Sequence, residues 1–103
     1  MVYVIQLVYL NPGKETTFQA FEDVVIPRIA SNGGELLLRV RPNSESVIAA
    51  GIEIPYEIHV VRFGTEGDFT RFSQDEARRQ ALHLKTESVR HSILLQGFEL
   101  SSA

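Results

Sequence analysis

Apolar and polar residues follow two different periods along this chain, and the changes of period divide it into elements. Residues 2–10 are apolar on both faces of an extended strand: Tyr3, Ile5, Leu7 and Tyr9 share one face, and Val2, Val4, Val8 and Leu10 share the other with Gln6. Residues 14–31 then switch to helical spacing, with Phe18, Phe21, Val25 and Ile29 as the apolar stripe, Asn11 or Thr16 near the start and Asn32-Gly33-Gly34 as the stop. Pro27 inside that run predicts a kink. Residues 35–41 read as a strand with Leu36, Leu38 and Val40 toward the helices and Leu37, Arg39 and Arg41 away. A long connection, 42–55, contains an apolar middle that suits a hairpin extension or a flap. Residues 56–63 form the third strand: Tyr56, Ile58, Val60 and Arg62 lie on one side, Glu57, His59, Val61 and Phe63 on the other. Residues 64–89 are helical but broken, because Thr65 to Asp68 and Ser73 to Glu76 both have the spacing of a capping box. Arg78, Arg79 and Lys85 are placed outward on the second piece. The last strand, 92–100, directs Ile93 and Leu95 to the helices and Leu94, Gln96 and Phe98 away.

The order is β-α-β-β-α-β. Right-handed crossovers and a hairpin between strands two and three fold it into an α+β, ferredoxin-like domain over residues 1–100, with a four-stranded antiparallel sheet and a tail at 101–103. The helices can cover one face only. The other would expose Val2, Val4, Val8, Leu10, Leu37, Val61, Phe63, Leu94 and Phe98, an apolar surface that calls for a partner. A homodimer packed sheet to sheet is the simplest one.

Composition narrows the class. With 44% hydrophobic and 22% charged residues the chain is an ordinary globular domain, and its net charge of −3 offers no basic stripe for nucleic acid. It has no cysteine, so a reducing cytoplasm is the expected location and disulfides are excluded. The apolar start lacks the basic region and cleavage site of a signal peptide and is too short for a membrane span.

Candidate chemistry lies on the strands. Gln6, Arg39, Glu57, His59 and Gln96 all fall on the sheet face assigned away from the helices, polar groups in an apolar surround. His59 could move a proton with Glu57 orienting it, while Gln6, Arg39 and Gln96 bind the ligand and Arg39 holds an anionic group. The same groups could instead pair with one another at a dimer interface. Glu57 and His59 offer two metal ligands, but His83 and His91 are not at diagnostic spacing for a third, so neither a metal nor another cofactor is expected.

Residues 33–39 (Gly-Gly-Glu-Leu-Leu-Leu-Arg), the Pro55-led third strand followed by a Phe-containing helix, and Ser-Ile-Leu-Leu-Gln-Gly at 92–97 resemble the dimeric α/β-barrel superfamily, and most of all its small uncharacterised bacterial members. Antibiotic-biosynthesis-type monooxygenases, EthD-like proteins, NIPSNAP proteins and muconolactone isomerase belong to the same group. The resemblance implies a homodimer with a pocket at the sheet and no single chemistry. Haem-degrading relatives use a Trp, which this chain lacks. The function expected is binding of a small, partly apolar molecule. A non-enzymatic dimerisation or regulatory module is the alternative, and a cofactor-independent monooxygenase- or isomerase-like enzyme the third.

Overall fold

The computed structural model of the chain describes residues 1–100, and the tail expected at 101–103 lies outside them. Its elements are β1 (Val2–Leu10), α1 (Glu15–Ser31), β2 (Gly34–Val40), β3 (Glu57–Phe63), α2 (Glu66–Ser73), α3 (Glu76–Gln80), α4 (Leu82–Ser88) and β4 (Val89–Phe98). The sheet order is β2-β3-β1-β4, antiparallel throughout, which is the ferredoxin-like topology expected from the element order.

All the helices pack on one face, but it is not the face the sequence reading assigned to them. Val2, Val4, Val8, Val61 and Phe63 point into the helix layer and are buried there against Phe18, Phe21, Val25 and Ile29 of α1 and Phe69 and Phe72 of α2. Each such side chain contributes about 1.5–3 kcal/mol relative to exposure, so these two clusters decide which way the sheet faces. The opposite, helix-free face carries Ile5, Leu7, Leu38, Val40, Ile58, Val60, Ile93 and Leu95. Both sides of β1 and β3 are apolar, so period two alone could not choose between them.

A bulge in β2 completes the exchange. Leu36 pairs with Val61 and Leu38 with Val60, leaving Leu37 as an extra residue. Leu36 therefore faces the helices as expected, whereas Leu38 and Val40 turn to the open face. Arg39, which pairs with His59, turns inward. Leu94, Gln96 and Phe98 likewise lie on the helix side, paired with Gln6, Val4 and Val2, and Ile93 and Leu95 lie on the open one.

Local chemistry sets the remaining boundaries. Thr65 and Asp68 form the capping box that starts α2. The next helix is capped by Asp75 rather than Ser73, whose hydroxyl donates to the Phe69 carbonyl. Asp75 also takes a bidentate contact from Arg28 and a hydrogen bond from Asn32, which ties α3 to the end of α1. Neither Asn11 nor Thr16 caps α1: Lys14 stands at its N-cap, and Asn11 donates instead to the Glu87 carbonyl. α1 continues through Pro27 to Ser31. The 42–55 connection forms neither strand nor helix. It closes over the end of the open face, where the Tyr9 hydroxyl donates to the Glu53 carbonyl and Arg90 pairs with Glu53.

Candidate functional site

Inverting the sheet moves the polar cluster from a prospective dimer surface to the interior between sheet and helices. Gln6 and His59 are cross-strand partners, as are Arg39 and His59. Glu57, two residues from His59, is fully buried, at 0% exposure. Its Oε2 contacts His59 Nε2. Its Oε1 accepts from Arg41 Nε at 2.9 Å and lies 3.1 Å from Arg39 Nε, an ion-pair contact in which the buried Arg39 N–H has no well-aligned acceptor. Gln19 of α1 accepts from Nη2 of both guanidinium groups, at 3.2 and 2.9 Å. Burial pushes the Glu57 carboxyl up, but contacts from His59, Arg39 and Arg41 together outweigh it and hold the pKa at about 2. Glu57 is thus an anchored, ionised acceptor and not a proton carrier.

The structure adds a residue that the sequence reading passed over. Glu22 of α1 is 5% exposed, and its Oε2 lies 3.6 Å from His59 Nε2. Among the described residues its carboxyl makes no hydrogen bond. Burial raises its pKa, with Glu57 adding to the rise and His59, Arg39 and Lys85 opposing it. The signal was present in the sequence: Glu22 sits inside the stripe Phe18, Phe21, Val25, Ile29, where a solvated acid has no place.

Glu22 and His59 form one wall of a cavity of about 120 Å³ under α1. Its lining is mostly apolar, from Val4, Val8 and Val61 of the sheet and Phe21, Val25 and Phe72 of the helices. Gln6 also reaches it, as do Arg78 and Lys85, two residues the helical spacing placed in solvent. Gln96 does not join the cluster; it donates to Glu66 of α2 at 3.2 Å. His83 Nδ1 contacts the Gln80 carbonyl and His91 stacks on Tyr9, so both stand apart from the cavity. Arg62 pairs with Glu35 of the neighbouring strand rather than with a helix.

Glu22, Glu57 and His59 bring ligand atoms within 4.8 Å of one another. Two carboxylates and an imidazole are donors that zinc accepts. Here, however, Glu57 is already matched by two guanidinium groups, and Lys85 and Arg78 face the same space. A divalent ion would enter a region already rich in fixed positive charge, so the donor set fits a metal poorly.

No family model matches the chain, and no curated protein matches it in sequence. Solved structures do share its fold. A protein of unknown function from Rhodopseudomonas palustris superposes with a TM-score of 0.81 at 16% identity, over 98% of this chain and 83% of that one. An uncharacterised NIPSNAP domain protein from Burkholderia xenovorans gives 0.70 at 9% identity, over 100% and 98%. A dabb family protein with a ferredoxin-like fold from Mesorhizobium loti gives 0.66 at 13%, over 97% of each chain. At these identities the likeness establishes architecture alone: the chain has the ferredoxin-like fold found in small NIPSNAP and dabb proteins.

Proposed function

We propose that this chain binds a small, partly apolar molecule in the cavity beneath α1, and that it works as a homodimer joined through its open sheet faces. One observation carries the binding reading: the Glu22 carboxyl, on a residue only 5% exposed and with no hydrogen-bond partner among the described residues, stands beside His59 on the wall of a largely apolar cavity. A carboxyl held in an apolar wall with no protein donor, beside a histidine, is an arrangement that suits a ligand or a reaction. With its pKa raised by burial, Glu22 holds its proton to a higher pH than a solvated carboxyl does, and His59, anchored on Glu57, can relay it. Proton transfer of this type needs no bound cofactor, which favours an isomerase-like reaction over an oxygenase.

Dimerisation is supported by shape. The molecule is a slab whose smallest extent is 16 Å, with a radius of gyration of 14.4 Å against roughly 13 Å for a compact domain of this length. Leu38 and Leu95 are about half exposed on the open face, beside Ile58 and Val60. A module built only for dimerisation through that face does not account for Glu22 and His59, which meet on the other side of the sheet.

The test is a titration of the full chain with short-chain and aromatic carboxylic acids and their alcohols, followed by NMR. Resonances of Phe21, Val25 and Val61 should shift on binding, and His59→Ala should weaken it. Shifts confined to residues outside the cavity, or none at all, would overturn the reading.

A further inference from the structure

We infer that the molecule held in this cavity is a small monoanion, a short carboxylic acid whose carboxylate is received by Lys85 and Arg78 while its apolar body lies against Phe21, Val25 and Phe72. The inference rests on the cavity being a ligand site and goes beyond it by fixing the ligand's charge.

Charge matching around the cavity leads there. Arg39 and Arg41 are matched by Glu57. Asp75, which caps the helix that carries Arg78, is occupied by Arg28 Nε and Nη2 at 2.9–3.1 Å and by Asn32 at 3.1 Å. The Arg78 guanidinium turns instead to the Ser73 carbonyl at 3.1 Å and lies 5.5 Å from the centre of the Phe72 ring. Lys85 forms no ion pair among the described residues, yet it is partly buried and lines the same cavity. Burial and then Arg78 lower its pKa, with only Glu22 opposing. Two cations thus face a largely apolar space against one carboxyl, which burial itself drives toward its neutral form. Desolvated charges are costly unless paired, and here the missing partner is an anion.

Size and lining limit the rest of the ligand. At about 120 Å³ the cavity is somewhat smaller than the ~150 Å³ apolar cavity known to admit benzene, so the body attached to the carboxylate is no larger than a phenyl ring. Gln6 and Glu22 line the same cavity as hydrogen-bonding groups for one further polar atom of the ligand.

Matched probes test the charge. Butyrate and benzoate, with butanol and benzyl alcohol as neutral counterparts, are titrated into the full chain by NMR or calorimetry. The acids should bind about tenfold or more tightly and lose affinity as salt is raised, whereas the alcohols should not respond to salt. Lys85→Met and Arg78→Gln should each erase most of the acids' advantage and leave the alcohols unchanged. Lys85→Arg, which keeps the charge, should retain it. Equal binding of acids and alcohols in the cavity would overturn the anion assignment while leaving the cavity reading intact. Binding of neither class would overturn both.

Discussion

Glu22 on α1 and His59 on β3 come within 3.6 Å of each other across the interface between helix layer and sheet. Both are buried, and burial raises the Glu22 pKa above its ordinary 4.5. The folded state therefore holds the Glu22 proton more tightly than the unfolded chain does. Stability conferred by the neutral form is fully present below about pH 4.5 and is lost as pH rises through the raised folded value. Glu22→Gln removes the charge and keeps the shape. The variant should melt close to the parent at pH 4 and above it at pH 8, with the gap opening between. A gap that stays constant with pH would show that the carboxyl is not strained by burial.

Glu57 has the opposite linkage. Its folded pKa of about 2 lies below 4.5, so its contribution is present above pH 4.5 and is lost as pH falls toward 2. Glu57→Gln should cost about 2–3 kcal/mol at pH 7, below the upper end for a broken buried pair, because Arg41 is half exposed and can be rehydrated. Denaturant unfolding at pH 7 and pH 3 measures this. The gap between parent and variant should narrow at the lower pH, and parallel curves would contradict the assigned anchor role.

The element order was legible because changes of period and turn residues coincide: Asn11-Pro12-Gly13, Asn32-Gly33-Gly34 and Gly64 each sit at or beside a boundary. The grouping of Gln6, Arg39, Glu57 and His59 on one face also emerged from strand phase, but the side of the sheet did not. Val2, Val4 and Val8 are as apolar as Ile5 and Leu7, so alternation gives no sign of which row meets α1. The Leu37 bulge reverses phase within β2 and has no glycine to mark it. Arg78 and Lys85 were read as solvated because charge on a helix is usually outward. α3 is capped by Asp75 and followed closely by α4, and both basic residues reach the cavity.

Gly34 opens β2 where the sheet passes closest to the end of α1. A Cβ there would lie 2.6 Å from Phe63 Cε1 and 2.8 Å from Ile29 Cγ2. Phe63 is among the most buried side chains and packs against Phe69 and Phe72, so it has little room to yield. Gly34→Ala should destabilise the domain by about 1–3 kcal/mol. Gly51→Ala, where a Cβ meets nothing within 4 Å, should stay within about 0.5 kcal/mol. Thermal melts of the two variants should differ clearly; equal melting points would mean that the Phe63 cluster adapts freely.

Val60 sits on β3 on the open face, opposite in direction to His59, and pairs with Ile5 on one side and Leu38 on the other. A lysine there would place a charge in the middle of the surface that a second copy must cover. Around a two-fold axis it would do so twice, with like charges in apolar surroundings. Sedimentation of the parent at micromolar concentration should give the mass of two chains, and Val60→Lys should weaken association by about a hundredfold, close to 3 kcal/mol. Because Val60 points away from the cavity, the variant should still bind whatever the parent binds under α1. Retained binding in a monomeric variant would separate the roles of the two sheet faces. A parent that sediments as a single chain would instead mean that the open face stands in water, and the pairing would have to be given up.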